Sequence, residues 1–135
     1  MTISELVDRA HDNAVKHGFW NPAPEFGTAI ALIHSELSEA LEEKRAGRPD
    51  LWFECFEGDP GLPCNPTDES DCFQYGHEDQ CQYRGSKPEG VAVELADAVI
   101  RIADLCGHLG IDLEAAINLK MAYNETRPFK HGKRF

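Results

Sequence analysis

The chain has no run of apolar residues approaching the roughly 18 that a membrane-spanning helix needs, so a bilayer span is not expected. Its first stretch, MTISELVDRAHDNAVKHG, is amphipathic with charges of both signs and lacks the apolar centre of a secretion signal. A cytoplasmic location is the expectation. Positive charge is also scarce: 13 Lys and Arg stand against 24 Asp and Glu, for a net charge of −11. A binder of the phosphate backbone normally presents a basic patch, so nucleic acid is not an expected partner. The acidic excess suits a protein that meets an anionic ligand through a divalent cation, although a merely soluble acidic surface explains it as well. Strand-like alternation is missing outside short runs, and no internal repeat occurs. The expected class is all-α, and 135 residues make most simply one domain, 1–135, large enough for a core.

Four helices are predicted. The first covers 4–17 and stops at Gly18; FWNPAPEFG, fixed by Pro22 and Pro24, follows. The second covers 27–46, ahead of Gly47 and Pro49. The third starts near Ser86, a plausible N-cap, with Pro88 in its first turn, and ends at Gly107. The fourth starts at the N-cap Asp112 and runs to about Glu125, before Pro128. Between the second and third helices lies a different kind of sequence, residues 47–87, with four prolines, five glycines and four of the five cysteines. An irregular stretch this long is unusual inside a compact domain and is expected to be disordered or stapled.

Helical periodicity of about 100° per residue sorts the side chains into faces. On the second helix Ile30, Ile33, Leu37 and Leu41 form an apolar stripe, while Glu36, Glu39 and Glu43 lie to one side with Leu32 among them. Glu42 points elsewhere and reads as surface. The third helix is apolar nearly all round: Val91, Leu95, Ala98, Val99, Ile102, Leu105, Cys106 and Leu109 on one face, Val93, Ala96 and Ile100 opposite. Such a helix is usually buried. What remains is a narrow polar stripe of Glu94, Asp97, Arg101, Asp104 and His108. Glu36 and Glu39 are three residues apart, as are Glu94 and Asp97, so each pair points its carboxylates the same way from adjacent turns.

One such pair is most often solvated surface. Two pairs on facing helices, one of them otherwise apolar, instead gather up to eight oxygens that could not all stay ionised without a cation. Mg²⁺ or Mn²⁺ takes oxygen ligands and leaves room for phosphates. On the fourth helix Leu113, Ala116 and Ile117 define an apolar face that Lys120, Asn124 and Arg127 continue, so cations and an amide share the inward stripe. Their bland alternative is a helix end whose cations satisfy the dipole.

The ordered set ELSEALEE, ELADAVIRIAD and KMAYNETRPFKHGK resembles the MazG-like all-α NTP pyrophosphatase superfamily, over roughly residues 10–47 and 88–134. The resemblance implies a bundle of four to five helices completed by oligomerisation, as a homodimer or homotetramer, with a Cys-rich irregular insert between helices two and three. It implies Mg²⁺-dependent hydrolysis of nucleoside triphosphates (NTP or dNTP) to the monophosphate and pyrophosphate, a nucleotide-pool house-cleaning reaction. Carried across, Glu36, Glu39, Glu94 and Asp97 are the implied metal ligands, with Glu39 and Glu36 the catalytic acids. Lys120, Tyr123, Asn124 and Arg127 are the implied nucleotide contacts, joined by His131 and Lys133 in the tail. Trp20 is a candidate for stacking on the base, with core packing beneath the N-terminal loop as its alternative.

The departure from the family's pattern is the 55 positions between Glu39 and Glu94, whose surplus the cysteine segment supplies. Cys55, Cys64, Cys72 and Cys81 are separated by eight, seven and eight residues. Four thiolates suit tetrahedral Zn²⁺ or an iron–sulfur cluster, but CxxC knuckles are lacking and unligated thiols explain the residues as well. Cys106, on an apolar face, reads as a core thiol. Two rival functions are a metal-binding interaction module built on the insert and a di-metal carboxylate bundle. The latter normally uses ExxH pairs, and here the fourth positions are Glu39 and Asp97.

Overall fold

The computed structural model describes residues 1–54, 63–64 and 87–134. Among them it is mostly helical, with four α-helices and little strand: α1 (Ile3–Lys16), α2 (Phe26–Arg45), β1 (Trp52–Glu54), β2 (Pro63–Cys64), β3 (Lys87–Glu89), α3 (Val91–Leu109) and α4 (Leu113–Glu125), then a 3₁₀ turn at Phe129–Gly132. No helix among the described residues is long and apolar enough to cross a membrane. The chain forms two compact units, Met1–Ala29 with Ile100–Phe135 and Ile30–Val99, and the division falls within α2 and α3.

In the first unit, α1 begins with a capping box: the Glu5 amide donates to Thr2 Oγ1 at 3.1 Å, and the Thr2 amide donates to Glu5 Oε2 at 2.6 Å. Val7, Ala10 and Ala14, spaced three and four apart, are its buried stripe. The core joins Val7 and Ala10 to Ala103 and Cys106 of α3, with Leu6 and Leu113 packed against them. Asp112 caps α4 by accepting from the Ala115 amide at 2.9 Å, as its sequence position predicts. Ser4, through its amide and hydroxyl, donates to Glu114 Oε2 and so ties the starts of α1 and α4 together.

Gly107 does not end α3, contrary to the sequence expectation. The helix continues to Leu109 and terminates at Gly110, whose φ is +67°. Gly107 is instead a contact residue: a Cβ there would lie 2.6 Å from Cβ of His11. That atom is the root of its side chain and cannot swing away.

The second unit contains a three-stranded antiparallel sheet of order β2-β1-β3, within the segment read from sequence as irregular. The start of α3 differs too. Pro88 is a strand residue opposite Phe53, on an edge strand where a missing N–H is tolerated. The helix begins after Gly90, whose φ is +109°. Trp52, 3 % exposed, sits at the heart of this unit. Its Nε1 donates to Glu43 Oε2 at 2.8 Å, Arg48 pairs with Glu43 Oε1 at 2.9 Å, and the Arg48 guanidinium lies 5.0 Å from the centre of the Trp52 ring. The strand is thereby locked to α2.

The helices bury only part of the apolar stripes. On α2 the buried residues are Ile33, Glu36 and Ala40, whereas Leu37 and Leu41 are exposed. On α3 the buried residues are Glu94, Ala98, Ala103, Leu105 and Cys106, whereas Leu95, Val99, Ile102 and Leu109 are exposed. The polar stripe thus carries buried and half-buried groups, and much of the aliphatic stripe faces out.

Gly107→Ala checks the close approach of α1. In an ordinary helix interior this change adds about 1 kcal/mol of stability. Here overpacking against His11 should reverse the sign and cost about 1–2 kcal/mol net, measured by chemical denaturation. A stabilised variant would contradict the contact.

Candidate metal centre

Three of the four predicted ligands come together. Carboxylate oxygens of Glu36, Glu39 and Glu94 all lie within 4.8 Å of one another. The i,i+3 spacing of Glu36 and Glu39 sets their side chains one turn apart on α2, and Glu94 meets them from the first turn of α3. Glu36 and Glu94 are each 6 % exposed, while Glu39 is open to solvent. Asp97, half-buried one turn further along α3, stands outside the trio but contributes its charge to it.

The Glu94 carboxyl is pushed up to about 7. Burial is the largest cause, followed by the negative charges of Glu39, Glu89, Asp97 and Glu36. Among the described residues Glu94 has no hydrogen bond or ion pair to offset this. A buried carboxylate crowded by like charges and lacking a donor among the described residues fits a hard divalent cation, which takes several oxygens at short range. Glu36, Glu39 and Glu94 would be the residues to hold one.

The other glutamates of the stretch separate cleanly. Glu43, close enough in sequence to be a possible further ligand, has both oxygens committed to Arg48 and Trp52. Glu42 pairs with Arg45 at 2.8 Å on the surface, as expected. Glu89 was missed by sequence reasoning. Reading Pro88 and Glu89 into a helical turn hid that Glu89 follows Lys87 on one side of a strand, where the two form an ion pair. No described metal cluster includes a cysteine: Cys55, Cys72 and Cys81 lie outside the described residues, and Cys64 is placed only as part of β2. Burial pushes the Cys106 thiol up, in keeping with a core residue.

In the first unit the predicted nucleotide contacts cluster at the end of α4. Lys120 Nζ lies 4.8 Å and the Arg127 guanidinium 5.8 Å from the centre of the Tyr123 ring. Asn124 is half-buried, and its Oδ1 is sealed from solvent with no described hydrogen-bond donor. His131 is held in the left-handed region at φ 53°, and its carbonyl accepts from Arg127 at 3.4 Å. Lys133 is exposed. Trp20 has one ring face stacked on His108, 3.9 Å between centroids at 12°. Its Nε1 donates to Asp104 Oδ1 at 2.8 Å, the same oxygen that bonds His11 Nδ1 at 2.8 Å. The Asp104 network joins residues 84 and 93 positions apart and left no local signal in the sequence.

No protein-family model, curated protein or solved structure matches the chain.

The elevated Glu94 pKa sets a pH dependence. Below about 7 the proton on Glu94 competes with a cation, so Mn²⁺ affinity should fall by up to tenfold per pH unit and level off above about 7.5. For the metal-free protein the sign is the usual one for a raised pKa. The stability due to Glu94 is fully present below the ordinary carboxyl value of 4.5 and is lost as pH rises through about 7. Thermal melts of the wild type and Glu94→Gln across pH 4–8 check this: the variant should gain on the wild type as pH rises. Parallel curves would contradict it.

Proposed function

We propose that the chain is a divalent-cation-dependent nucleoside triphosphate pyrophosphohydrolase of the MazG-like type, releasing the monophosphate and pyrophosphate. The observation that carries this reading is the convergence of Glu36, Glu39 and Glu94 within 4.8 Å around a buried carboxylate with no described donor. The ordered motifs on α2, α3 and α4 support it, because the sequence carries both acid pairs and a cationic set of the kind that contacts phosphates.

Bound Mg²⁺ or Mn²⁺ supplies charge neutralisation for the triphosphate and polarises the phosphorus under attack. Glu36 and Glu94, both buried, keep fixed positions and need no reorganisation when substrate arrives. Glu39, the exposed member, is assigned the proton of the attacking water and its orientation for in-line displacement. Asp97 completes the negative charge of the centre. Lys120, Tyr123, Asn124 and Arg127 are assigned to the nucleotide. Trp20 keeps its assignment as a base-stacking residue, with His108 occupying one of its faces.

The same reading makes a second copy of the chain the partner. Leu37 and Leu41 on α2 stand 48 % and 51 % exposed; Leu95 and Val99 on α3 stand 47 % and 51 % exposed. Each repeats at i,i+4, as an interhelical seam does, and burying such side chains is worth about 1.5–3 kcal/mol apiece.

Three measurements test these proposals. Chromatography of products from a panel of NTPs and dNTPs with Mg²⁺ should find monophosphate plus pyrophosphate. Glu39→Gln and Asp97→Asn should each lower kcat by about 10²-fold or more while leaving the fold intact, as loss of a positioned acid does. Diphosphate and phosphate as products, or full activity in either variant, would overturn the assignment. Light scattering should report a dimer or tetramer, and a Leu41→Glu variant should shift it towards monomer. A wild-type monomer at tens of micromolar would contradict the partner.

A further inference from the structure

Between residues 115 and 134 the chain carries Lys120, Arg127, Lys130, Lys133 and Arg134 against a single carboxylate, Glu125. That is a local excess of positive charge in a protein whose net charge is −11. In the Ile30–Val99 unit Lys44, Arg45, Arg48 and Lys87 each pair with a carboxylate. Among the described residues Lys120 and Arg127 pair with none, and what they share is an aromatic ring. Lys120 Nζ lies 4.8 Å and the Arg127 guanidinium 5.8 Å from the centre of Tyr123. The three follow one another at i, i+3 and i+7, the spacing of one helix face. Tyr123 is 56 % exposed, so the ring and the charges beside it are reached from solvent. Satisfying the end of α4 is not what the two cations do. The Tyr123 carbonyl accepts from the Thr126 amide at 3.1 Å and the Thr126 hydroxyl at 2.7 Å, and the Asn124 carbonyl accepts from the Arg127 amide at 3.1 Å. The Arg127 guanidinium donates instead to the His131 carbonyl at 3.4 Å, in the 3₁₀ turn beyond the helix.

We propose that Lys120 and Arg127 form a metal-independent receptor for the pyrophosphoryl end of the substrate, and that Tyr123 is its positioning residue, serving by holding both cations and not by contact with the base. The inference rests on the reading of the chain as a pyrophosphohydrolase. Two like charges on one helix face repel each other, and no described carboxylate relieves them here. The negative face of the phenol ring attracts both, strongly enough at an exposed site to bias the side chains without burying them. A cation beside a ring keeps its N–H donors, three on the ammonium and five in the rigid fork of the guanidinium. A diphosphate carries oxygens on two phosphorus atoms, so it accepts from both cations at once, and its charge removes their repulsion. Lys130 and Lys133, exposed beyond α4, add to the positive potential that draws an anion in. Because all of this charge belongs to side chains, the receptor works without a divalent ion. The ring face is given to cations, which separates the part played by Tyr123 from that of Trp20.

Calorimetric titration of the full-length protein with inorganic pyrophosphate in EDTA at low salt, beside steady-state kinetics in Mg²⁺, tests the receptor. The wild type should bind pyrophosphate without metal. Lys120→Met and Arg127→Met should each weaken that binding by about 10-fold, the loss expected for one charged hydrogen bond. Tyr123→Leu should weaken it by about fivefold and raise KM for the nucleotide by a similar factor, an effect on KM and not on kcat. Leucine is at least as good a helix former as tyrosine and the position is exposed, so α4 keeps its shape. The conservative Tyr123→Phe, which keeps the ring, should restore binding. Pyrophosphate has no base, so a loss at Tyr123 cannot come from stacking. Adding Tyr123→Leu to the Lys120→Met, Arg127→Met double variant should cost nothing more, because a positioning residue acts only through its partners. If Tyr123→Phe falls as far as Tyr123→Leu, the hydroxyl is a direct contact; if Tyr123→Leu matches the wild type, the ring has no role. Either result overturns the positioning. A wild type that turns over nucleotide yet binds no pyrophosphate in EDTA overturns the receptor and leaves the pyrophosphohydrolase reading standing. Binding without turnover removes that reading, and with it the receptor's role toward a substrate.

Discussion

The buried carboxylate of Glu94 is the constraint around which the Ile30–Val99 unit is organised. It is 6 % exposed, without a described donor, and within 4.8 Å of two other glutamates. Such a group must be protonated or matched by a cation, because a lone buried charge costs several kcal/mol. Its elevated pKa is the first of these solutions and a bound divalent ion is the second. The surroundings hold the carboxylate in this position instead of relieving it. Gly90 brings the strand and the helix together without a side chain, the Asp50 carbonyl caps the turn, and Trp52 locks the sheet to α2 through Glu43 and Arg48. Local stability is set against local repulsion, a pattern characteristic of sites that bind something.

A second feature follows from the same arrangement. On α2 and α3 the inward faces carry Glu36 and Glu94, and several of the largest aliphatic side chains look outward. In a lone soluble helix pair the hydrophobic effect would select the opposite orientation. That sidedness is what the proposed ion site and the proposed second copy would each require of these helices.

Much of the helical frame was legible because its punctuation is local. Gly18, Pro22 and Pro24 bracket the end of α1 and the start of α2, Asp112 caps α4, and the observed ends of α1 and α2 fall within a residue of those predicted. The acid pairs were legible for the same reason, since i,i+3 carboxylates on a helix face one way whatever the fold. Failures came where a residue served a distant partner. Gly107 looks like a terminator but makes room for His11, and Pro88 looks like a first-turn proline but lies on an edge strand. Glu43 and Glu39 lie only about 40° apart by helical angle; Arg48 and Trp52 decide that Glu43 is structural. Glu89 escaped notice because its relevance depends on β3 pairing with β1, a register that no short window of sequence contains. The apolar stripes were right for Ile33, Ala98, Leu105 and Cys106, which are buried, and not for Leu37, Leu41, Leu95 and Val99, which are exposed, because periodicity reports that a face is apolar without saying which neighbour covers it.

The function proposed for this protein requires that Glu36, Glu39 and Glu94 jointly ligate a divalent cation. Anomalous diffraction from crystals of the protein grown with Mn²⁺ at pH 8 addresses it directly. The predicted result is a peak within about 2.0–2.5 Å of oxygens from all three glutamates, the range for hard-cation coordination, and its loss in Glu94→Gln. Fully loaded Mn²⁺ conditions with no peak among these carboxylates, or a peak elsewhere with Glu94 left protonated and unbound, would contradict the account.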